Sequence, residues 1–254
     1  MLPTTFFRTI LTLALLLFGQ TGWAATVLVA VASNFSKPMT EIAAEFEKAT
    51  GHSAKLSFGS SGKFVSQLEN GAPFEVLLSA DKKGAQKLEQ AGLAVSSSHF
   101  TYALGTLVLW SATPGYVDDQ GKILTSGGFK HLALADPKLA PYGAAAVEVL
   151  KGLNLQDKLS PLFVLGENIA QTHQFISTGN AELGFVALSQ VIENGHCAAG
   201  SCWIIPADRH APIRQDAVLL TRGAENPAAR ALLDYLKSAP ALAIIEKYGY
   251  GLPK

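Results

Sequence analysis

Within residues 26–90 the chain runs three times from an apolar strand through a small polar turn into a helical stretch. Thr26–Ala32 is a continuous apolar, β-branched run of the kind buried on both faces of a parallel sheet. It stops at Ser33-Asn34. Pro38–Thr50 then carries Met39, Ile42, Ala43 and Phe46 on one helical face, with Gly51 as terminator. Ala54–Phe58 leads through Gly59-Ser60-Ser61-Gly62 into a helix over Lys63–Asn70. Glu75–Ser79 leads through Ala80-Asp81 into a helix ending at Gln90. A parallel neighbour strand is reached only by a crossover, so this order predicts βαβ units around a parallel sheet.

A longer β-type run, Thr101–Trp110, is followed by Gly- and Pro-marked loops and then a second α/β series. Its strands are Leu132–Ala135, Leu162–Leu165 and Leu183–Val186; its helices are Ala144–Leu150 and Ala170–Ser177. Ala217–Thr221 reads as a returning strand, with closing helices at Pro227–Lys237 and Leu242–Lys247. There is no internal sequence repeat and no low-complexity linker. The pattern predicts an α/β fold of two lobes, each a mainly parallel sheet flanked by helices, joined by two crossover strands near 101–110 and 214–221. The expected division is 25–104 plus 217–254 for one lobe and 105–216 for the other.

Residues 1–24 read as an export signal. Arg8 gives a positive start, Ile10–Phe18 a short apolar core, and Gly22-Trp23-Ala24 small residues where a signal peptidase cuts. The apolar run is about half of the ~20 residues a membrane span needs. The expectation is a periplasmic protein with its signal removed. Cys197 and Cys202 are the two cysteines, and in an exported chain they are most simply a disulfide closing a small loop. A redox pair would have two intervening residues instead of four, and a zinc site would need more ligands.

Lys plus Arg and Asp plus Glu each count 20, a balance that argues against a nucleic-acid partner, whose binder would show a basic face. Three polar turns, Ser33-Asn34, Ser60-Ser61-Gly62 and Pro141-Tyr142-Gly143, together with Glu167-Asn168-Ile169, each join a strand's carboxyl end to a helix start. In open α/β sheets ligands collect at that edge. A helix start offers unpaired N–H groups and partial positive charge, which suit an anion. Such residues also serve simply as helix caps, but four turns on one edge favour a site.

Catalytic patterns are weaker. Ser60-Ser61-Gly62-Lys63 contains Ser-x-x-Lys, the nucleophile signature of penicillin-recognising hydrolases, but Ser-Asp-Asn and Lys-Thr-Gly are absent. Gly59–Lys63 is too short between its glycines for a phosphate loop, and Phe64 stands where Ser or Thr would hold magnesium. His52, His99, His131, His173, His196 and His210 show no metal-ligand spacing. An exported hydrolase using Ser60 and Lys63 is the alternative from a different class; otherwise no catalytic residue, cofactor or free metal cation is expected.

Ala30–Phe35, Phe58–Gly62 and Asn70–Asp81, then Ala135-Asp136-Pro137 with Pro141-Tyr142-Gly143, follow a specific order and spacing. Glu182–Val186, Leu233–Lys237 and Glu246–Gly249 continue it. In these fragments the chain resembles the periplasmic molybdate-binding proteins of ABC transporters, within the type II solute-binding fold, over essentially all of residues 25–254. The resemblance implies a monomer that captures molybdate or tungstate between its lobes and delivers it to a membrane permease. It implies that Ser33, Asn34, Ser61, Tyr142 and the backbone N–H of Ile169 hold the oxyanion through neutral donors. Some members place a ligating tyrosine where this chain has Ala187, and Tyr142 is expected to supply that hydroxyl instead. Donors alone suit a fully deprotonated dianion, whereas monohydrogen phosphate also calls for an acceptor. Sulfate or another small oxyanion is the nearer alternative cargo, to be separated by cavity size.

Overall fold

The computed structural model describes residues 24–193 and 195–253; most of the expected export signal lies outside them. Two five-stranded sheets form the framework. The first begins with β1 (Thr26–Ala32), followed by α1 (Ser36–Thr50), β2 (Ser53–Gly59), α2 (Ser61–Glu69), β3 (Val76–Ser79) and α3 (Lys82–Gln90). Then comes β4 (Phe100–Gly105). The second contains β5 (Leu107–Ser111), β6 (Leu132–Ala135), β7 (Phe163–Gly166), β8 (Leu183–Ala187) and β11 (Ser201–Ile204). Its helices are α4 (Ile123–Ser126), α5 (Pro141–Gly152), α6 (Gln156–Leu159), α7 (Ile169–Ser177) and α8 (Leu188–Val191). A two-stranded ladder, β9 (Ile192–Glu193) with β10 (His196–Cys197), carries the cysteine loop. The chain then returns as β12 (Ile213–Leu219) and closes with α9 (Pro227–Tyr235) and α10 (Ala239–Lys247).

The strand orders are β2-β1-β3-β12-β4 and β7-β6-β8-β5-β11, the same pattern twice. In each sheet the parallel set is interrupted by one antiparallel strand, β12 in the first and β5 in the second. β12 runs across residue 217, so the first sheet takes the whole of Ile213–Leu219.

The apolar run Thr101–Trp110 is not one strand. It breaks at Thr106, with β4 pairing to β12 in the first sheet and β5 to β8 and β11 in the second. Gly105, at the end of β4, leaves room for the Tyr142 hydroxyl, which a Cβ there would overlap. The second crossing is residues 205–212, between β11 and β12. The C-terminal tail adds a third element at this junction: Leu104 and Gly251 exchange backbone hydrogen bonds of 2.7 and 2.9 Å.

Each sheet has helices on both faces. In the first lobe Val27, Val29, Val31, Phe35, Met39, Ile42 and Phe46 pack with Leu232 and Ile245, while Ala30, Phe64, Leu77 and Leu88 fill the opposite side. In the second lobe Leu107, Leu109, Leu134, Tyr142, Val149 and Phe185 form the larger core, and Val108, Trp110, Ile176 and Val186 the smaller. Burying each such side chain contributes about 1.5–3 kcal/mol before entropy is charged. Cys197 and Cys202 are joined as a disulfide. Among the described residues no helix is long and apolar enough to cross a membrane.

Candidate functional site

Adjacent strands β1 and β2 in one sheet, and β6 and β7 in the other, each end at a helix start, so two starts from each lobe meet. Ser33 and Asn34 form a short 3-10 turn, Ser33–Phe35, ahead of α1. Ser61 is the first residue of α2, Tyr142 lies in the first turn of α5, and Ile169 opens α7. All five are buried.

The lobes touch at these turns. The Ser33 hydroxyl donates to Asn168 Oδ1 across a long 3.3 Å. That oxygen also caps α7, accepting from Ala170 N and Gln171 N at 2.9 and 3.0 Å. The Ile169 N–H is outside this cap and, like other N–H groups of a first turn, has no intrahelical partner. Gly62 N donates to Leu139 O at 3.0 Å, closing the start of α2 onto the turn before α5. At the rim, Lys63 Nζ and Glu167 pair at 2.8 Å, each about half exposed.

Among the described residues the hydroxyls of Ser60, Tyr102, Tyr142 and Ser238 are buried without a partner in the protein, and those of Ser60 and Tyr142 belong to the residues of the cleft turns. Leaving a buried polar group unpaired costs about 1–3 kcal/mol, so each calls for an explanation. Tyr142 is held in the second-lobe core, with its hydroxyl near the Tyr250 hydroxyl and the Asn34 amide but aligned with neither. Burial, and then Tyr250, drive its pKa well above the ordinary tyrosine value, so at neutral pH it is a donor. Ser61 accepts from Ala80 N at 2.9 Å, which leaves its own proton free to donate.

Ala187 lies fully buried at the end of β8 and brings no hydroxyl to this region. The Ser60–Lys63 pair does not make a nucleophile and base, since Lys63 is engaged by Glu167 and the Ser60 hydroxyl has no partner. Among the described residues the only buried Asp, Glu, His, Lys or Arg side chain is Asp216, which is 2.5 Å from His99 Nε2. The cleft turns themselves therefore present hydroxyls, N–H groups and helix starts, and no buried charge. Among the described residues no group of His, Cys, Asp or Glu is placed to hold a metal ion.

A model of the bacterial extracellular solute-binding proteins matches residues 27–251. The chain belongs to that family. It is 59% identical over 229 residues to the molybdate-binding protein ModA of Azotobacter vinelandii, covering 90% of this chain and 91% of that protein. The corresponding ModA of Rhodobacter capsulatus is 52% identical over 227 residues, covering 89% and 88%. Among solved structures, the Azotobacter vinelandii periplasmic molybdate-binding protein superposes with a TM-score of 0.87 at 43% identity, over 90% of this chain and all of that one. These likenesses agree with the two-lobed fold of a solute-binding protein.

Sequence reasoning did not give a role to Gln215, Tyr250 or Ser189, which surround Asn34. Gln215 is a fully buried amide in β12, two residues ahead of the strand expected to begin at Ala217. In the sequence Ser60 stands in the Ser60-Ser61-Gly62 turn and as an alternative nucleophile but not as a named ligand, and its unpartnered hydroxyl makes it a candidate donor.

Proposed function

We propose that this protein captures molybdate or tungstate between its lobes, in the periplasm after its signal is removed, and delivers it as a monomer to the permease of an ABC transporter. The observation that carries this is the buried, partnerless hydroxyl of Tyr142 beside four uncharged helix starts, with the partnerless Ser60 hydroxyl at the second of them. A tetrahedral dianion accepts from every side and supplies acceptors to such groups. Hydrogen bonds to a charged acceptor are roughly twice as strong as neutral ones, and a buried site strengthens them further. In this reading Ser61 and Tyr142 donate hydroxyl protons, Ser33 exchanges its long contact to Asn168 for the anion, and Asn34 and Ile169 donate at the helix starts. The similarity to proteins named molybdate-binding supports this cargo. The role is transport and not catalysis, in keeping with Lys63 being engaged by Glu167.

Thermal unfolding of residues 25–254 with molybdate, tungstate, sulfate and phosphate in turn tests this. A ligand at 100 times its Kd adds about 2.7 kcal/mol, which for a chain of this size is roughly 5–11 °C. Molybdate and tungstate are expected to give that rise, and sulfate and phosphate none. An equal rise with sulfate changes the cargo; no rise with any of the four overturns the oxyanion site.

A further inference from the structure

Ser189 and Gln190, adjacent residues at the start of α8, reach both halves of the cleft at once. Ser189 Oγ donates to the backbone carbonyl of Asn34 at 2.7 Å, in a fully buried contact between lobes. Gln190 Nε2 donates to the backbone carbonyl of Ile169 at 3.0 Å. The Gln190 side chain is itself held by Ala187 N, which donates to Oε1 at 2.9 Å, and the backbone carbonyl of Gln190 accepts from Lys37 Nζ of the first lobe at 2.9 Å. Two neighbouring residues thus grip one helix start from each lobe.

The contacts around Asn34 sharpen the point. Its Nδ2 donates to Gln215 Oε1 at 2.7 Å and to the Tyr250 hydroxyl at 2.9 Å, which occupies both amide protons. Tyr250 in turn lies 2.8 Å from the Asn34 carbonyl and 3.1 Å from Ser189 Oγ. Asn34 is therefore fixed through its side chain and its carbonyl, and what it has left to donate is its backbone N–H.

We propose that Ser189 and Gln190 form a clip that sets the separation of the Ser33-Asn34 turn from the start of α7, and so are positioning residues for the oxyanion. This rests on the reading of the cleft given above. Neither residue is among the proposed donors, so the clip acts on affinity and selectivity through geometry. A loosened clip lets the N–H groups of Asn34 and Ile169 drift apart, and the pocket loses its preference between dianions of different size.

The test is calorimetric binding of molybdate and of sulfate to the wild type, Ser189→Ala, Gln190→Ala and Ser189→Thr, with anion-free Tm measured alongside. Ser189→Ala and Gln190→Ala are each expected to raise the molybdate Kd about tenfold or more, as a lost buried hydrogen bond would. The molybdate-over-sulfate ratio is expected to narrow, and Ser189→Thr to recover most of both. Anion-free Tm is expected to move no more than the roughly 2–4 °C that one such bond is worth in a chain of this size. A molybdate Kd within about twofold of wild type in both alanine variants overturns the clip. So does a loss of affinity that leaves the ratio unchanged and that threonine does not repair. A wild type that takes up neither anion overturns the reading of the cleft itself, and the clip falls with it.

Discussion

At the residue scale, the most informative group is the Tyr142 hydroxyl. It lies buried against the Gly105 backbone with no protein partner, an arrangement that is unfavourable until something accepts its proton. Tyr142→Phe should accordingly have opposite effects on the two states. Without anion, stability should hold or rise by up to about 1–3 kcal/mol as the unpaired group is removed. With molybdate, the Kd should rise about tenfold or more, since a hydrogen bond to a charged acceptor is worth about 1.5–3 kcal/mol. Urea unfolding and calorimetry decide it; unchanged affinity would remove Tyr142 from the site. The turns that hold Ser33, Ser61, Tyr142 and Ile169 were legible in the sequence because strand end, small polar residue and helix start are local signals. Asn34's surroundings were not. Its partners Ser189, Gln215 and Tyr250 are 155, 181 and 216 residues away, and nothing local marks a serine or a tyrosine as a buried brace.

At the element scale, the longer helices follow their apolar periodicity closely, as Ser36–Thr50 illustrates by burying Met39, Ile42 and Phe46. Two kinds of element escaped it. The break at Thr106 is invisible to pattern, because both halves of the run are β-like and only the partner sheet changes. α8 and β11 span four residues each, too few to show a period, and β11 is masked by the cysteine loop. That loop is a local brace. The disulfide closes it, Trp110 Nε1 donates to Ala199 O at 2.8 Å, and Gly200 presses on the Ser111 carbonyl where no Cβ would fit. Loop-closure entropy for so short a ring is about 2 kcal/mol. Cys197→Ala with Cys202→Ala should therefore lower Tm by roughly 4–8 °C. Molybdate affinity should be kept, since none of the proposed donors lies in the loop. Calorimetry showing a large affinity loss would tie the loop to the cleft.

At the scale of the whole molecule, the structure is one in which the lobes meet, and Gly62 is where backbone meets backbone. A Cβ there would lie 3.1 Å from the Leu139 carbonyl, the oxygen that Gly62 N contacts at 3.0 Å. Gly62→Val should leave each lobe folded but hold the lobes apart. In small-angle scattering the wild type should contract on adding molybdate while the variant does not, and the variant's affinity should fall in step. Contraction of the variant at normal affinity would show that closure does not pass through this contact. The Lys63–Glu167 pair at the rim is a poorer target, because a half-exposed ion pair is worth about 0–1 kcal/mol.

The exchange of antiparallel strands has a consequence for how the chain acquires its shape. Every strand of the second sheet lies between residues 107 and 204, so that half is complete as an uninterrupted stretch. The first sheet lacks β12 between β3 and β4 until residues 213–219 are available, and α9 and α10 come later still. A chain threaded out from its N-terminus thus finishes its middle before its beginning. Until the last residues arrive, β3 and β4 each present an open edge of the kind that pairs with foreign strands. Loss of the C-terminal forty residues would then produce a half-built, adhesive molecule, and not merely a weaker receptor.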